Sequence, residues 1–408
     1  MKNKTHRLKF KMVALIALSC IVFASCTSCR IIDLGKAIQN EKISYSEGKQ
    51  KFEFIDNKIL INTTIDDKIN RDFIFDSGAS SIILFTDDET IEHISNCEKL
   101  KSFGSHVGAD GVKNKNIMYI LETLESNLLK IENSVVLCIN NKSFNFKCDP
   151  MGIIGSSTFS DNKKILNINM VDSTITVLDS LPDLDNWVKL ESKFNKISNH
   201  IVIPVDINGV PTDFYFDTGN NGGAIITDKT YNALKKDKAV YNERNYYGYV
   251  AKTATGALID TVYNAKCDIN LSGNYKIDSV NVVSFEKMIV NSLGMEVFKH
   301  FNMLIDYKDK NLYIQQISRV QNTDTYDKIL GFGANSSIDE GAIIAHIYKD
   351  SKAEKAGLKP GDKIVKINNY RESDFPNCDT KNYVKSILKP SGNVIIVNRN
   401  NEEIKVTL

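Results

Sequence analysis

Two short stretches carry residue types from which hydrolytic chemistry can be built. Asp72-Phe73-Ile74-Phe75-Asp76-Ser77-Gly78 recurs as Asp213-Phe214-Tyr215-Phe216-Asp217-Thr218-Gly219, 141 residues later. In each, an aromatic-rich strand runs into an Asp, and a hydroxyl residue and a Gly follow. Glycine permits a tight turn, so the carboxylate stands at a loop tip held by a rigid strand. Two carboxyls that share one site cannot both ionise cheaply, so the pair keeps one proton. One group then serves as base toward a bound water, and the other as acid toward a scissile carbonyl. Asp76 and Asp217 are the expected catalytic pair. The hydroxyls of Ser77 and Thr218 would brace the facing loops, and Gly78 and Gly219 would make the turns.

The elements that must position these loops repeat as well. Thr86-Asp87 falls on Thr227-Asp228, again 141 residues apart, and Ile153-Ile154-Gly155 answers Ser292-Leu293-Gly294 at 139. Strand–turn–strand patterns follow at residues 165–177 and 301–314. From about residue 50 to 317 the chain reads as mostly β, in short apolar runs cut by Asn, Asp, Gly and Ser. Short helices are expected at residues 86–93 and 227–236, each opened by a Thr N-cap.

At these residues the chain resembles the retropepsin-like aspartic peptidases. Asp76-Ser77-Gly78-Ala79 and Asp217-Thr218-Gly219-Asn220 match the Asp-Thr/Ser-Gly signature. Ile153-Ile154-Gly155 and Ser292-Leu293-Gly294 look like the apolar-apolar-Gly element behind each catalytic loop. The resemblance implies a mainly β fold, a pseudo-twofold duplicated β-barrel domain with both halves in one chain, so that a dimer is not required for the site. It implies peptide-bond hydrolysis in extended polypeptide substrates, with no cofactor and no metal. It also implies flap hairpins, for which residues 104–111 and 248–256 carry the glycines. In two places the chain departs from the family. Ser292 is polar where an apolar residue is usual, and Asn220 replaces Ala or Ser. The side-chain amide of Asn220 is within sequence reach of the outer oxygen of Asp217, or it stabilises only its own turn.

The last 84 or so residues have another pattern. A short Ala-rich helix stops at Gly357, and Pro360-Gly361-Asp362 turns into a strand. The run Ala356-Gly357-Leu358-Lys359-Pro360-Gly361-Asp362-Lys363-Ile364 resembles the bacterial PDZ domain, a small α+β module. By that resemblance Leu330, Gly331 and Phe332 form the loop whose backbone N–H groups receive a peptide C-terminal carboxylate. The peptide would then add as an extra strand.

The N-terminus reads as an export segment. Lys2, Lys4, Arg7, Lys9 and Lys11 precede an apolar run at residues 12–23, too short for a comfortable membrane span. Phe23-Ala24-Ser25-Cys26 resembles a lipobox, which makes Cys26 the expected lipidation site and the membrane a partner through a lipid anchor. The expected location is the cell envelope, on the periplasmic side of a bacterial membrane. Over the whole chain 51 Lys and Arg face 50 Asp and Glu; without the basic leader the count is 46 against 50. That balance leaves no electrostatic footprint for nucleic acid. No Cys-x-x-Cys pair occurs in the folded part, so the cysteines fit buried thiols, or one hairpin bridge between Cys138 and Cys148.

The resulting expectation is a signal peptide at 1–25, a tether at 26–47, peptidase lobes at 48–185 and 186–319, and a PDZ domain at 325–408. The function expected is an aspartic endopeptidase that recruits substrate through its PDZ domain. The alternative is a non-catalytic, lipid-tethered scaffold that captures peptide C-termini.

Overall fold

A computed structural model describes residues 27–86, 91, 97–100, 105–107, 113–139, 149–195, 199–253, 256–271, 275–286, 288–317, 330–337, 341–376 and 380–408. Cys26, Cys148, most of residues 86–93 and most of the first expected flap lie outside them.

The first repeat contains β1 (Lys58–Ile65), β2 (Ile69–Asp76), β3 (Ile83–Phe85), β4 (Ile117–Glu125), β5 (Leu129–Ile139) and β6 (Gly152–Gly155). Strand β2 pairs antiparallel with β1 and parallel with β6, and β6 pairs antiparallel with β3. Strand β3 runs parallel to β5, β5 pairs with β4, and β4 returns to β1. The ring closes into a small six-stranded barrel, which leaves no open edge among these strands. After it come β7 (Ile165–Asn169) and β8 (Thr174–Leu178).

The second repeat follows the same path. Its barrel is β9 (Ile201–Ile207), β10 (Val210–Phe216), β11 (Ala224–Ile226), then α1 (Asp228–Lys236), β12 (Tyr246–Thr253), β13 (Gly256–Leu271), β14 (Tyr275–Ser284) and β15 (Ser292–Leu293). The order β9, β10, β15, β11, β14, β13 and back to β9 repeats the first ring, with the same parallel and antiparallel pairs. As expected, Thr227 caps α1, its Oγ1 accepting from the Thr230 N–H.

The two repeats meet in a sheet. After β15 come β16 (Phe301–Asp306) and β17 (Asn311–Gln316), and β16 lies antiparallel to β7 with Leu166 opposite Ile305. Strand β8 and the strand Lys49–Lys51 extend this sheet on one side; β17 and the strand Val188–Leu190 extend it on the other. All six residues of β16 are buried, as a strand covered on both faces requires. One hydrophobic core runs through both repeats, from Phe73 and Phe75 to Phe214 and Phe216.

The third unit has its own core, with Leu330, Phe332, Ile344, Ile364 and Val397 at its centre. It comprises β18 (Phe332–Ser337), β19 (Gly341–Tyr348), α2 (Lys352–Lys355), β20 (Lys363–Ile367), α3 (Thr380–Ile387), β21 (Val394–Arg399) and β22 (Glu402–Thr407). Ser351 caps α2, and Gly357 ends it with φ +89°. Asp362 is held by Arg399 through two bonds of 2.6 Å, in the turn that the sequence places there.

This unit joins the second repeat by main-chain pairing. Tyr246, Tyr247 and Gly248 of β12 pair with Tyr348, Ile347 and His346 of β19. A Cβ on Gly248 would stand 2.4 Å from the carbonyl oxygen of Ala345, so the close approach demands glycine there. Tyr348 packs with Tyr246, Leu258, Val262 and Phe285 of the second repeat.

The expected tether at 26–47 is instead partly ordered. Residues Thr27–Asn40 form a helix and Lys42–Tyr45 a strand paired with β5. Ala37 is buried, and the Glu41 carboxylate accepts from the Val135 N–H at 3.2 Å. The stretch is only weakly periodic, and it packs on the first lobe through the strand beside β5 and the Glu41–Val135 bond.

The glycines of the repeated apolar-Gly elements are steric requirements. A Cβ on Gly155 would lie 2.4 Å from the Ser81 carbonyl oxygen, and one on Gly294 2.3 Å from that of Asn220. Gly35, in the N-terminal helix, has nothing within 4 Å. Gly294→Ala or Gly155→Ala should cost about 3 kcal/mol or more. Gly35→Ala should stabilise by about 0.8 kcal/mol. Denaturant unfolding of the three variants checks the contrast.

Candidate active site

Strands β2 and β10 deliver Asp76 and Asp217 to the junction between the barrels. Alternation along each strand explains the local pattern. Phe73 and Phe75, and likewise Phe214 and Phe216, point into the core and are fully buried. Phe75 meets Phe159 edge-on with ring centroids 6.0 Å apart, and Phe216 meets Phe298 the same way at 4.6 Å. Each strand is thus clamped before its Asp.

The loops are locked to each other across the junction. The Ser77 N–H donates to Thr218 Oγ1 at 2.9 Å, and the Thr218 N–H donates to Ser77 Oγ at 3.0 Å. Ser77 Oγ donates to the Phe216 carbonyl, and Thr218 Oγ1 to the Phe75 carbonyl, both at 3.0 Å. Both hydroxyl residues are almost wholly buried, at 1% and 0% exposure, so these four bonds compete with no water. The bracing expected of Ser77 and Thr218 is the geometry observed.

The glycines let the carboxyls come together. A Cβ on Gly78 would stand 2.7 Å from Asp217 Oδ1, and one on Gly219 2.4 Å from Asp76 Oδ2. The Gly78 and Ala79 N–H groups donate to Asp76 Oδ1 at 2.7 and 3.1 Å. The Gly219 and Asn220 N–H groups donate to Asp217 Oδ1 at 2.9 and 3.1 Å. The two carboxyls lie within hydrogen-bonding reach of each other. Each Asp keeps some accessible surface, as a group that meets a ligand must, while dense protein surrounds the carboxyls.

That environment pushes Asp76 well above the ordinary carboxylate range, to about 8. Burial is the largest cause and the charge of Asp217 the next; the Gly78 and Ala79 donors pull the other way. Burial and the neighbouring charge thus favour the protonated form of Asp76 near neutral pH.

Asn220 does not reach Asp217 through its side chain. Its Nδ2 donates to Ser292 Oγ at 3.0 Å and to the Ser292 carbonyl at 3.3 Å. Ser292 Oγ in turn donates to Asp217 Oδ2 at 2.8 Å. The residue that departs from the apolar pattern is therefore the one that touches the carboxylate. A polar residue at a buried position of the apolar-Gly element was the signal for it, visible in the sequence but without a stated role.

The other expected sites fall elsewhere. Leu330 and Phe332 are fully buried in the C-terminal core, and Gly331 between them has φ +92°. A Cβ there would meet Ser351 Cβ at 2.0 Å, so the loop needs glycine on both counts. Helix α3 packs against β18, the strand that follows this loop. Residues 321–397 match the PDZ domain family. A PDZ domain points to a peptide-binding or protein-interaction role, with polypeptide partners. No curated protein matches the chain. In the second expected flap, β12 and β13 pair as far as Thr253 and Gly256, and the same hairpin holds the PDZ strand β19.

The raised Asp76 links stability to pH. Its folded value lies above its ordinary 3.8, so the folded protein keeps a proton that the unfolded chain has lost. The stability this group contributes is complete below about pH 4 and is lost as pH rises through about 8. Melting temperature should fall over that window in the wild type and fall less steeply in Asp76→Asn. Parallel curves would contradict the assignment.

Proposed function

We propose that this protein is an aspartic-type endopeptidase with both catalytic lobes in one chain, of the retropepsin-like kind. The observation that carries this reading is the pair Asp76 and Asp217, brought within hydrogen-bonding reach by two equivalent loops and locked by reciprocal hydroxyl bonds. Two carboxyls that share one proton can hydrolyse a peptide bond by direct attack of water, without a metal or a covalent intermediate. The ionised carboxylate takes a proton from a water lying between them, and that water's oxygen attacks the scissile carbonyl carbon. The protonated partner gives its proton to the carbonyl oxygen. Proton transfer to the amine then lets the C–N bond break, and the products are a carboxylate and an amine. Gly78, Gly219, Ser77 and Thr218 hold the geometry that these steps require.

In this reading the PDZ domain recruits polypeptides by their C-termini at the loop of Leu330, Gly331 and Phe332. Strand β18 would receive the peptide, and its neighbour β19 is paired with the hairpin of the second lobe. A recruited chain would thus be held close to the lobes. In this reading the leader and Cys26 would anchor the enzyme by a lipid to a bacterial envelope membrane, and acylated Cys26 at the mature N-terminus is the mass-spectrometric result expected. The PDZ match by itself favours a second reading, a tethered scaffold without catalysis.

Cleavage of unfolded casein, blocked by a statine-type inhibitor, separates the two. Asp76→Asn and Asp217→Asn should each remove nearly all activity with the fold retained. The double variant should be no worse, because the two groups act as one unit. A single variant that keeps more than about a tenth of kcat would sink the shared-proton mechanism. Gly331→Pro, which cannot adopt the observed φ, should raise KM for long substrates with free C-termini and spare kcat on short peptides.

A further inference from the structure

The two halves of the site differ at one buried position. Ser292 stands in β15 beside Tyr215, where Ile153 stands in β6 beside Ile74. The Ile153 side chain has no polar atom to offer Asp76. Ser292 is 3% exposed, and its hydroxyl oxygen lies 2.8 Å from Asp217 Oδ2.

The direction of that bond follows from its surroundings. Asn220 Oδ1 accepts from the Gly222 N–H at 2.8 Å, which fixes the orientation of the amide. Asn220 Nδ2 can then only donate, and Ser292 Oγ receives its hydrogen at 3.0 Å. The hydroxyl must send its own hydrogen elsewhere, and Asp217 Oδ2 lies in its path. Asp217 thus accepts three hydrogen bonds, two at Oδ1 from main-chain N–H groups and one at Oδ2 from Ser292. Asp76 has the matching two main-chain donors at Oδ1.

We infer that Ser292, oriented by Asn220, is a positioning residue that holds the negative charge of the pair on Asp217 and leaves the shared proton on Asp76. Donors that point at a carboxylate favour its ionised form, and a charge-assisted bond in a buried site is among the stronger ones. Asp217 then acts as the base toward water and Asp76 as the acid toward the carbonyl. Among the described residues, His200 and Tyr307 also face the pair, and neither creates this asymmetry. His200, on the approach to β9, is pulled down by burial and is neutral near pH 7, and its contact with Asp217 is electrostatic only. Tyr307, after β16, is driven up by burial and stays protonated beside Asp76.

The inference rests on reading the two Asp as one proton-sharing pair, and its test does not need turnover. The carboxyl carbons of Asp76 and Asp217 in the intact chain can be labelled with ¹³C and titrated by NMR, with Asp76→Asn and Asp217→Asn assigning the signals. In Ser292→Ala the lower of the pair's two apparent constants should rise by about one unit, the worth of one lost charge-assisted bond. Asn220→Ala keeps the hydroxyl but releases it, and should move the same constant in the same direction by less. Ser292→Thr keeps the hydroxyl and should titrate like the wild type. An unmoved constant in a folded Ser292→Ala overturns the inference. So does an equal rise in Ser292→Thr, which would trace the effect to packing. If casein is cleaved, the acid limb of kcat/KM should move with the NMR constant. If casein is not cleaved while the titration shifts as expected, the proposed activity fails and the inference about charge placement stands.

Discussion

Two carboxyl groups in hydrogen-bonding reach repel each other unless a proton lies between them, and a fold that holds them there must resist the repulsion continuously. The reciprocal bonds between Ser77 and Thr218 supply that resistance. Each hydroxyl accepts from the other loop's backbone and donates to the strand behind the other Asp. No lobe can shift its loop without breaking bonds in the opposite lobe. Because the bonds are buried, each broken one leaves an unsatisfied polar group, which costs about 1–3 kcal/mol.

The rest of the two-lobed body can be understood as support for that lock. The sheet across the junction, with β7 against β16, sets the distance between the barrels. The edge-on pairs Phe75–Phe159 and Phe216–Phe298 fix the strands just behind the loops. Gly155 and Gly294 let the apolar-Gly elements lie against the loops with no room for a side chain. Twofold repetition is economical here, since one packing solution serves both halves. The exception is at Ser292 and Asn220, where a symmetric solution would leave both carboxyls alike.

The C-terminal domain is bound to this body by main-chain pairing as well as by side chains. Strand β19 continues into β12 at Gly248, the aromatic rings of Tyr246 and Tyr348 pack at 5.2 Å, and the Lys349 N–H donates to the Asn245 carbonyl at 2.8 Å. The PDZ domain and the β12–β13 hairpin of the second repeat are thereby joined through β-strand pairing.

Much of this was legible in the linear sequence. The duplication shows in the two Asp-Phe-x-Phe-Asp motifs, the loops in their glycines, the helix after Thr227 in its cap, and the PDZ module in its Ala-Gly-Leu and Gly-Asp run. These are local patterns, and local sterics and alternation write them into the chain directly. The order of residues 27–45 was not legible, because the periodicity there is weak and the strand partner on β5 and the Val135 contact are far away in sequence. The pairing of β12 with β19 was also hidden, since strand partners far apart in sequence leave no mark on either strand alone. The contact made by Asn220 was not legible either: its amide bonds to Ser292 and does not reach Asp217. From the sequence, its amide and Asp217 are three residues apart and Ser292 is 75 away from Asp217. Only the parallel pairing of β10 with β15 places the hydroxyl between them, because hydrogen bonds depend on distance in space, and the fold alone determines that distance.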